Sequence, residues 1–119
     1  MKYRESEEMY LETILLLKEQ YNNVRSIDVA NTLNYSRASV SRAINLLKTR
    51  EYITITKGLI DFTDKGLARA KEIYERHNVI THVLTKIGVP GDLAEENACR
   101  IEHVVNEELL AYFKAFIKD

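Results

Sequence analysis

The sequence predicts a mainly α fold: three helices and a hairpin, then three further helices. Three observations predict it. Apolar residues recur at helical spacing, as Val40, Ala43, Ile44 and Leu47 do at i, i+3, i+4 and i+7. Extended, β-branched residues are concentrated in "EYITITKGLIDFT", on either side of Lys57-Gly58. Polar residues able to cap a helix stand at the borders of the periodic segments.

The elements follow in order. Residues 6–21, "SEEMYLETILLLKEQY", open on Ser6 as a cap, place acids in the first turn and predict helix one. Ser26 caps "SIDVANTLN", which offers Ile27, Val29, Ala30 and Leu33 to a core. After an Asn34-Tyr35 turn, Ser36 caps the third helix, "SRASVSRAINLLKTR". The hairpin comes next, and Thr63 caps a long fourth helix over about 64–87, stopped by Gly88, Val89 and Pro90. Asp92 and Glu95 have capping-box spacing and open a fifth helix that runs through "NACRIEHVV", residues 97–105. Asn106, with Glu107 and Glu108 behind it, starts a sixth helix carrying Leu109, Leu110, Phe113, Phe116 and Ile117 along one side.

Helix, tight turn, helix, hairpin is the layout of a winged helix-turn-helix. The chain therefore divides into a winged helix-turn-helix DNA-binding domain, 1–63, and a helical dimerisation domain, 64–119. Opposite the apolar stripe of helix three lie Arg37, Ala38, Ser39, Ser41, Arg42 and Asn45, short donors and acceptors with two guanidiniums, suited to base edges and phosphates. Lys57 at the hairpin tip can meet a phosphate. The net charge of −1 conceals an asymmetry: residues 25–60 carry six cations against Asp28 and Glu51, between acidic flanks. A winged helix used only for protein contacts is the competing reading.

Composition bounds the rest. A chain of 119 residues, 45% apolar and 29% charged, suits a compact globular protein. One cysteine leaves no intrachain disulfide, and the expected location is the reducing cytoplasm. No apolar run approaches the roughly 20 residues of a membrane span, and "MKYRESEEMY" lacks the core of a signal peptide. The expected partners are double-stranded DNA and a second copy of the chain, with no membrane.

Cys99, Glu102 and His103 share one face if their segment is helical throughout, and thiolate, carboxylate and imidazole together suit a first-row divalent ion. Met9 and Glu12 are i, i+3 on helix one, and His77 lies toward the end of helix four. Each alone reads as core or solvated surface; six donors meeting between packed helices would need a cation to offset their burial.

"EEMYLETILLL", "SVSRAINLL", "FTDKGLARAKEIYERH" and "NACRIEHVV" resemble the diphtheria-toxin-repressor family of metal-dependent bacterial transcriptional regulators, over nearly the whole chain. The resemblance implies homodimers that bind palindromic operators through a winged helix-turn-helix when Fe(II) or Mn(II) is present, repressing metal-uptake genes. It makes Met9, Cys99, Glu102 and His103 the iron-branch primary site, and puts Glu12 and His77 where manganese-branch relatives hold further ligands. The sulfur donors favour Fe(II), with Mn(II) second and Zn(II), Co(II) or Ni(II) as substitutes in vitro. The ancillary iron-branch site is incomplete, with Thr81 at a carboxylate position and Glu95 at a histidine position; His82 matches no ligand and reads as structural. The chain ends at Asp119, before the SH3-like third domain of longer members, so the resemblance is to the short two-domain form.

The expected mechanism is linkage: an ion held by helix one on one side and helices four and five on the other sets the spacing of two recognition helices against the DNA repeat of about 34 Å. One rival is a metal-independent winged-helix regulator with Cys99 as a thiol redox sensor. A metallohydrolase is a weaker rival, since no separate general base or substrate pocket is in the pattern; the expectation is a non-enzyme.

Overall fold

The computed structural model describes residues 2–118, and the side chains of residues 6–118. The order is α1 (Lys2–Gln20), α2 (Ser26–Leu33), α3 (Arg37–Thr49), β1 (Ile53–Thr56), β2 (Leu59–Phe62), α4 (Asp64–Lys86), α5 (Gly91–Ile101) and α6 (Glu107–Ile117), as the mainly α reading requires. The chain forms two compact units, one running to Lys71 and the other beginning at Glu72.

In the first unit α1, α2 and α3 pack on one another and β1 lies against α3. The buried apolar residues are Leu11, Ile14 and Leu17 of α1, Val29 and Ala30 of α2, and Val40, Ile44 and Leu47 of α3, with Val24, Ile53 and Ile60. Two buried acids, Glu7 and Glu8, sit among them because cations reach both: Arg50 is 2.7 Å from Glu7, and Arg69 is 3.1 Å from Glu8 and 3.6 Å from Glu7. Ser36 caps α3 as expected, accepting from the Ser39 amide at 3.1 Å.

The hairpin pairs Ile53 with Phe62 and Thr56 with Leu59. Lys57 and Gly58 both have positive φ, 54° and 79°, as a type I′ turn demands. Three residues of the unit, Val24, Lys18 and Arg25, anchor this wing. Ile60 donates its amide to the Val24 carbonyl at 2.8 Å. Lys18 donates to the Ile60 carbonyl at 3.2 Å and to Asp61 at 2.6 Å. Arg25 donates to the Lys57 carbonyl at 3.1 Å, and a Cβ at Gly58 would run into that guanidinium.

The second unit packs α4, α5 and α6 around Val79, Ile80, Ala98, Val105 and Leu110, with Leu84, Ile101, Phe113 and Ile117 at its edge. Asn106 caps α6 as expected, accepting from the Leu109 amide at 2.8 Å. Gly88, with φ 105°, ends the α4 segment.

Four local expectations are corrected. Ser6 is no cap, because α1 begins at Lys2; the Lys, Arg and Glu residues upstream are good helix formers with no breaker among them. Ser26 lies inside α2; Arg25 takes the cap position, its amide donating to the Asp28 carboxylate at 2.8 Å. Asp92 and Glu95 form no capping box, since Pro90 stands at the cap with no side-chain hydrogen bond. Lastly, α5 stops at Ile101, and residues 102–104 form a turn. Asn106 must leave helical geometry to cap α6, so the chain cannot stay helical through 97–105.

Thr63 caps α4 through the Gly66 amide at 3.0 Å and donates to the Glu51 carbonyl at 2.7 Å, which draws the helix start onto the end of α3. A Cβ at Gly66 would collide with the Tyr52 carbonyl oxygen, so backbone meets backbone there. Gly66→Ala is expected to destabilise the protein by about 1–3 kcal/mol, as overpacking of a filled site does, read as a lower urea midpoint.

Candidate metal centre and nucleic-acid face

The face of α3 opposite its core carries the residues singled out for DNA. Arg37, Ala38, Ser41, Arg42 and Asn45 are exposed, as is Lys57 on the wing. Ser39 is half-buried and engaged in the cap: its hydroxyl accepts from Ser36 at 3.0 Å and lies 3.5 Å from Arg42. The small side chains at the start of α3 leave its backbone accessible, while the guanidiniums project from the same surface.

The metal candidates come from both units. His77, Glu102 and His103 come together in the second unit. Glu102, the cap residue after α5, is 0% exposed. Its Oε2 lies 2.9 Å from His77 Nδ1, and its Oε1 stands 3.4 Å from His103 Nε2. Among the described residues, Oε1 accepts no hydrogen bond. A dry carboxylate oxygen without a donor, flanked by two imidazoles, is a donor set that a divalent cation completes.

The sulfur candidate of this unit is Cys99. It is exposed on α5, whereas Glu102 is buried and His103 half-buried. The single helical face expected for the three is therefore not what forms, because α5 ends between them. Met9 and Glu12 belong to α1 in the first unit. Glu12 is buried, and the Met9 sulfur accepts from the Tyr35 hydroxyl at 3.8 Å. Thr81 spends its hydroxyl on the His77 carbonyl at 2.9 Å, one turn back. His82, read as structural, is exposed.

Several contacts at these sites gave no signal in the sequence. Arg76 is buried and donates to the Glu102 carbonyl and to the Glu107 carboxylate, both at 3.0 Å. It ties the turn holding Glu102 and His103 to the first turn of α6. Glu95 reaches His77 Nε2 at 2.9 Å, so that ring has a carboxylate at each nitrogen. Arg25 secures the wing. Tyr112, 72% exposed, joins Leu109 and Phe116 on the outward side of α6; Leu110, Phe113 and Ile117 turn inward. A helical pattern shows that a stripe exists, and here the stripe is wide enough to have two sides.

Comparison with known proteins matches both halves of the chain. Residues 2–59 match the N-terminal DNA binding domain model of iron dependent repressors, and residues 63–119 match their metal binding and dimerisation domain model. An HTH-type transcriptional regulator of Methanocaldococcus jannaschii is 31% identical over 117 residues, covering 96% of this chain and 94% of its own. The transcriptional regulator MntR of Escherichia coli O157:H7 is 31% identical over 115 residues, 95% of this chain and 74% of that one. The crystal structure of T. acidophilum IdeR superposes with a TM-score of 0.78 at 26% identity, over 94% of this chain; the chain spans about half, 54%, of that structure.

Arg76→Met is expected to lower stability by about 1–3 kcal/mol, because the Glu102 carbonyl would be left buried without its donor. Glu107→Gln, which alters an exposed partner of the same guanidinium, is expected to cost under about 1 kcal/mol. Urea unfolding of the two variants beside the parent measures both.

Proposed function

The chain belongs to the iron-dependent repressor family, a family of non-enzymatic DNA-binding regulators, and from that premise we propose that it binds operator DNA when loaded with Fe(II). It is a metal-dependent transcriptional repressor. The finer reading takes Fe(II) as the working ion and Mn(II) as the alternative, with Zn(II), Co(II) or Ni(II) binding in vitro. The proposed ligands are Met9, Glu12, His77, Cys99, Glu102 and His103. A mixed set of carboxylates, imidazoles and sulfur suits a borderline ion over a hard one. Bound there, the ion supplies the positive charge that a dry carboxylate otherwise lacks.

The observation that carries the reading is Glu102, wholly buried with one oxygen accepting no hydrogen bond among the described residues. A carboxylate is not retained in that state for stability alone. The competing thiol switch gives Glu102 no task, and the matched model for residues 63–119 is described by metal binding.

On the DNA side, Arg37, Ala38, Ser39, Ser41, Arg42 and Asn45 are the proposed readers of the major groove, and Lys57 the proposed phosphate contact. A second copy of the chain is the proposed partner, through the apolar surface of α6 that Leu109, Tyr112 and Phe116 expose. Among the described residues no helix is long and apolar enough to cross a membrane; the proposed location is the cytoplasm.

An anaerobic gel shift on a candidate operator tests the linkage. Added Fe(II) is expected to tighten binding by about 5- to 150-fold, a coupling of about 1–3 kcal/mol. Glu102→Gln should abolish the response, and equal retardation with and without metal would remove the ion from the account. Lys57→Asn removes the wing charge while an asparagine tolerates the positive φ. It should weaken DNA binding on all sequences alike and shallow the salt dependence by about one unit of slope.

A further inference from the structure

We infer that Glu95 is a positioning residue for the metal centre: its carboxylate accepts a hydrogen bond from His77 Nε2–H and thereby leaves the Nδ1 lone pair for the ion. This rests on the metal-centre reading above. The geometry is local to the second unit. His77 Nε2 and Glu95 Oε2 are 2.9 Å apart, as are His77 Nδ1 and Glu102 Oε2. Glu95 stands on α5 and Glu102 caps its C-terminal end, and both reach the same ring.

The two carboxylates stand in different surroundings. Glu102 is buried to 0% side-chain exposure, whereas the Glu95 side chain is 63% exposed. A neutral imidazole has one N–H and can donate to only one of them. If Nε2 carries it, Glu95 accepts a hydrogen bond at the rim, and the Nδ1 lone pair points at Glu102. Two acceptors facing each other at that distance repel, and a cation bound by both removes the repulsion. If Nδ1 carries the proton, it donates to Glu102 and has no lone pair for an ion there, while the Nε2 lone pair faces the exposed acid.

The first arrangement is the one in which each group has a partner with the ion bound. It is also the general pattern of metal-bound histidines, whose second nitrogen donates to a carboxylate that fixes tautomer and ring orientation. Glu95 is well placed for that role and unneeded for the fold, since its side chain lies at the surface and packs in no core.

The test uses the full chain with Zn(II), which is diamagnetic. Nitrogen-15 NMR of the Zn(II)-loaded protein should show His77 with Nδ1 bound to metal and Nε2 protonated. Glu95→Ala should weaken Zn(II) binding by about 10- to 100-fold, as loss of such an outer partner does, and Glu95→Gln by less, since an amide oxygen still accepts. The melting temperature of the metal-free protein should be unchanged in both variants, which separates positioning from folding. Zn(II) affinity within twofold of the parent in Glu95→Ala would overturn the inference, as would Nε2 found on the metal. If the parent itself takes up no Zn(II), the metal-centre reading falls, and this inference with it.

Discussion

The burial of the Glu102 carboxylate is the constraint on which the second unit depends. An ionised carboxyl taken out of water costs several kcal/mol even after the surroundings relax. The neighbourhood is organised around that cost. Arg76 holds the Glu102 carbonyl, His77 and His103 flank its two oxygens, and α5 ends so that the residue falls in a turn. One oxygen is nevertheless left with no hydrogen bond among the described residues. The imbalance is local and specific, and the proposed ion would offset it.

Arg76 extends that arrangement beyond the site. By bridging the Glu102 carbonyl and Glu107, it joins the turn of Glu102 and His103 to the start of α6. The helix that carries the exposed Leu109, Tyr112 and Phe116 is thus fastened to the turn that carries Glu102. A guanidinium suits this task because its planar fork can serve two acceptors at once.

The first unit solves a different problem, the rigid presentation of a polar face. Buried Val40, Ile44 and Leu47 lock one side of α3, and the opposite side is left to Arg37, Ser41, Arg42 and Asn45. The wing is pinned from below by Lys18, Val24 and Arg25, each through a main-chain group of the hairpin. Glycine at position 58 serves both the turn geometry and the close approach of Arg25.

Much of this was written locally. The stripe of α3, the Lys57-Gly58 turn, and the caps at Ser36, Thr63 and Asn106 depend on residues within four positions of one another, so spacing alone reveals them. So do the candidate ligands as residue types. Spacing misled where several polar residues competed for one helix end, at Ser6, Ser26 and the Asp92-Glu95 pair, because only the folded backbone decides which residue leaves helical geometry. The pairings of His77 with Glu95 and Glu102, of Arg76 with the Glu102 carbonyl, and of Arg25 with the wing join residues 18 to 32 positions apart. Nothing in a linear pattern sets those distances. Periodicity tells which faces are apolar, while the choice of which acid is buried and which stays at the rim is made only when the helices pack and water is excluded from one of them.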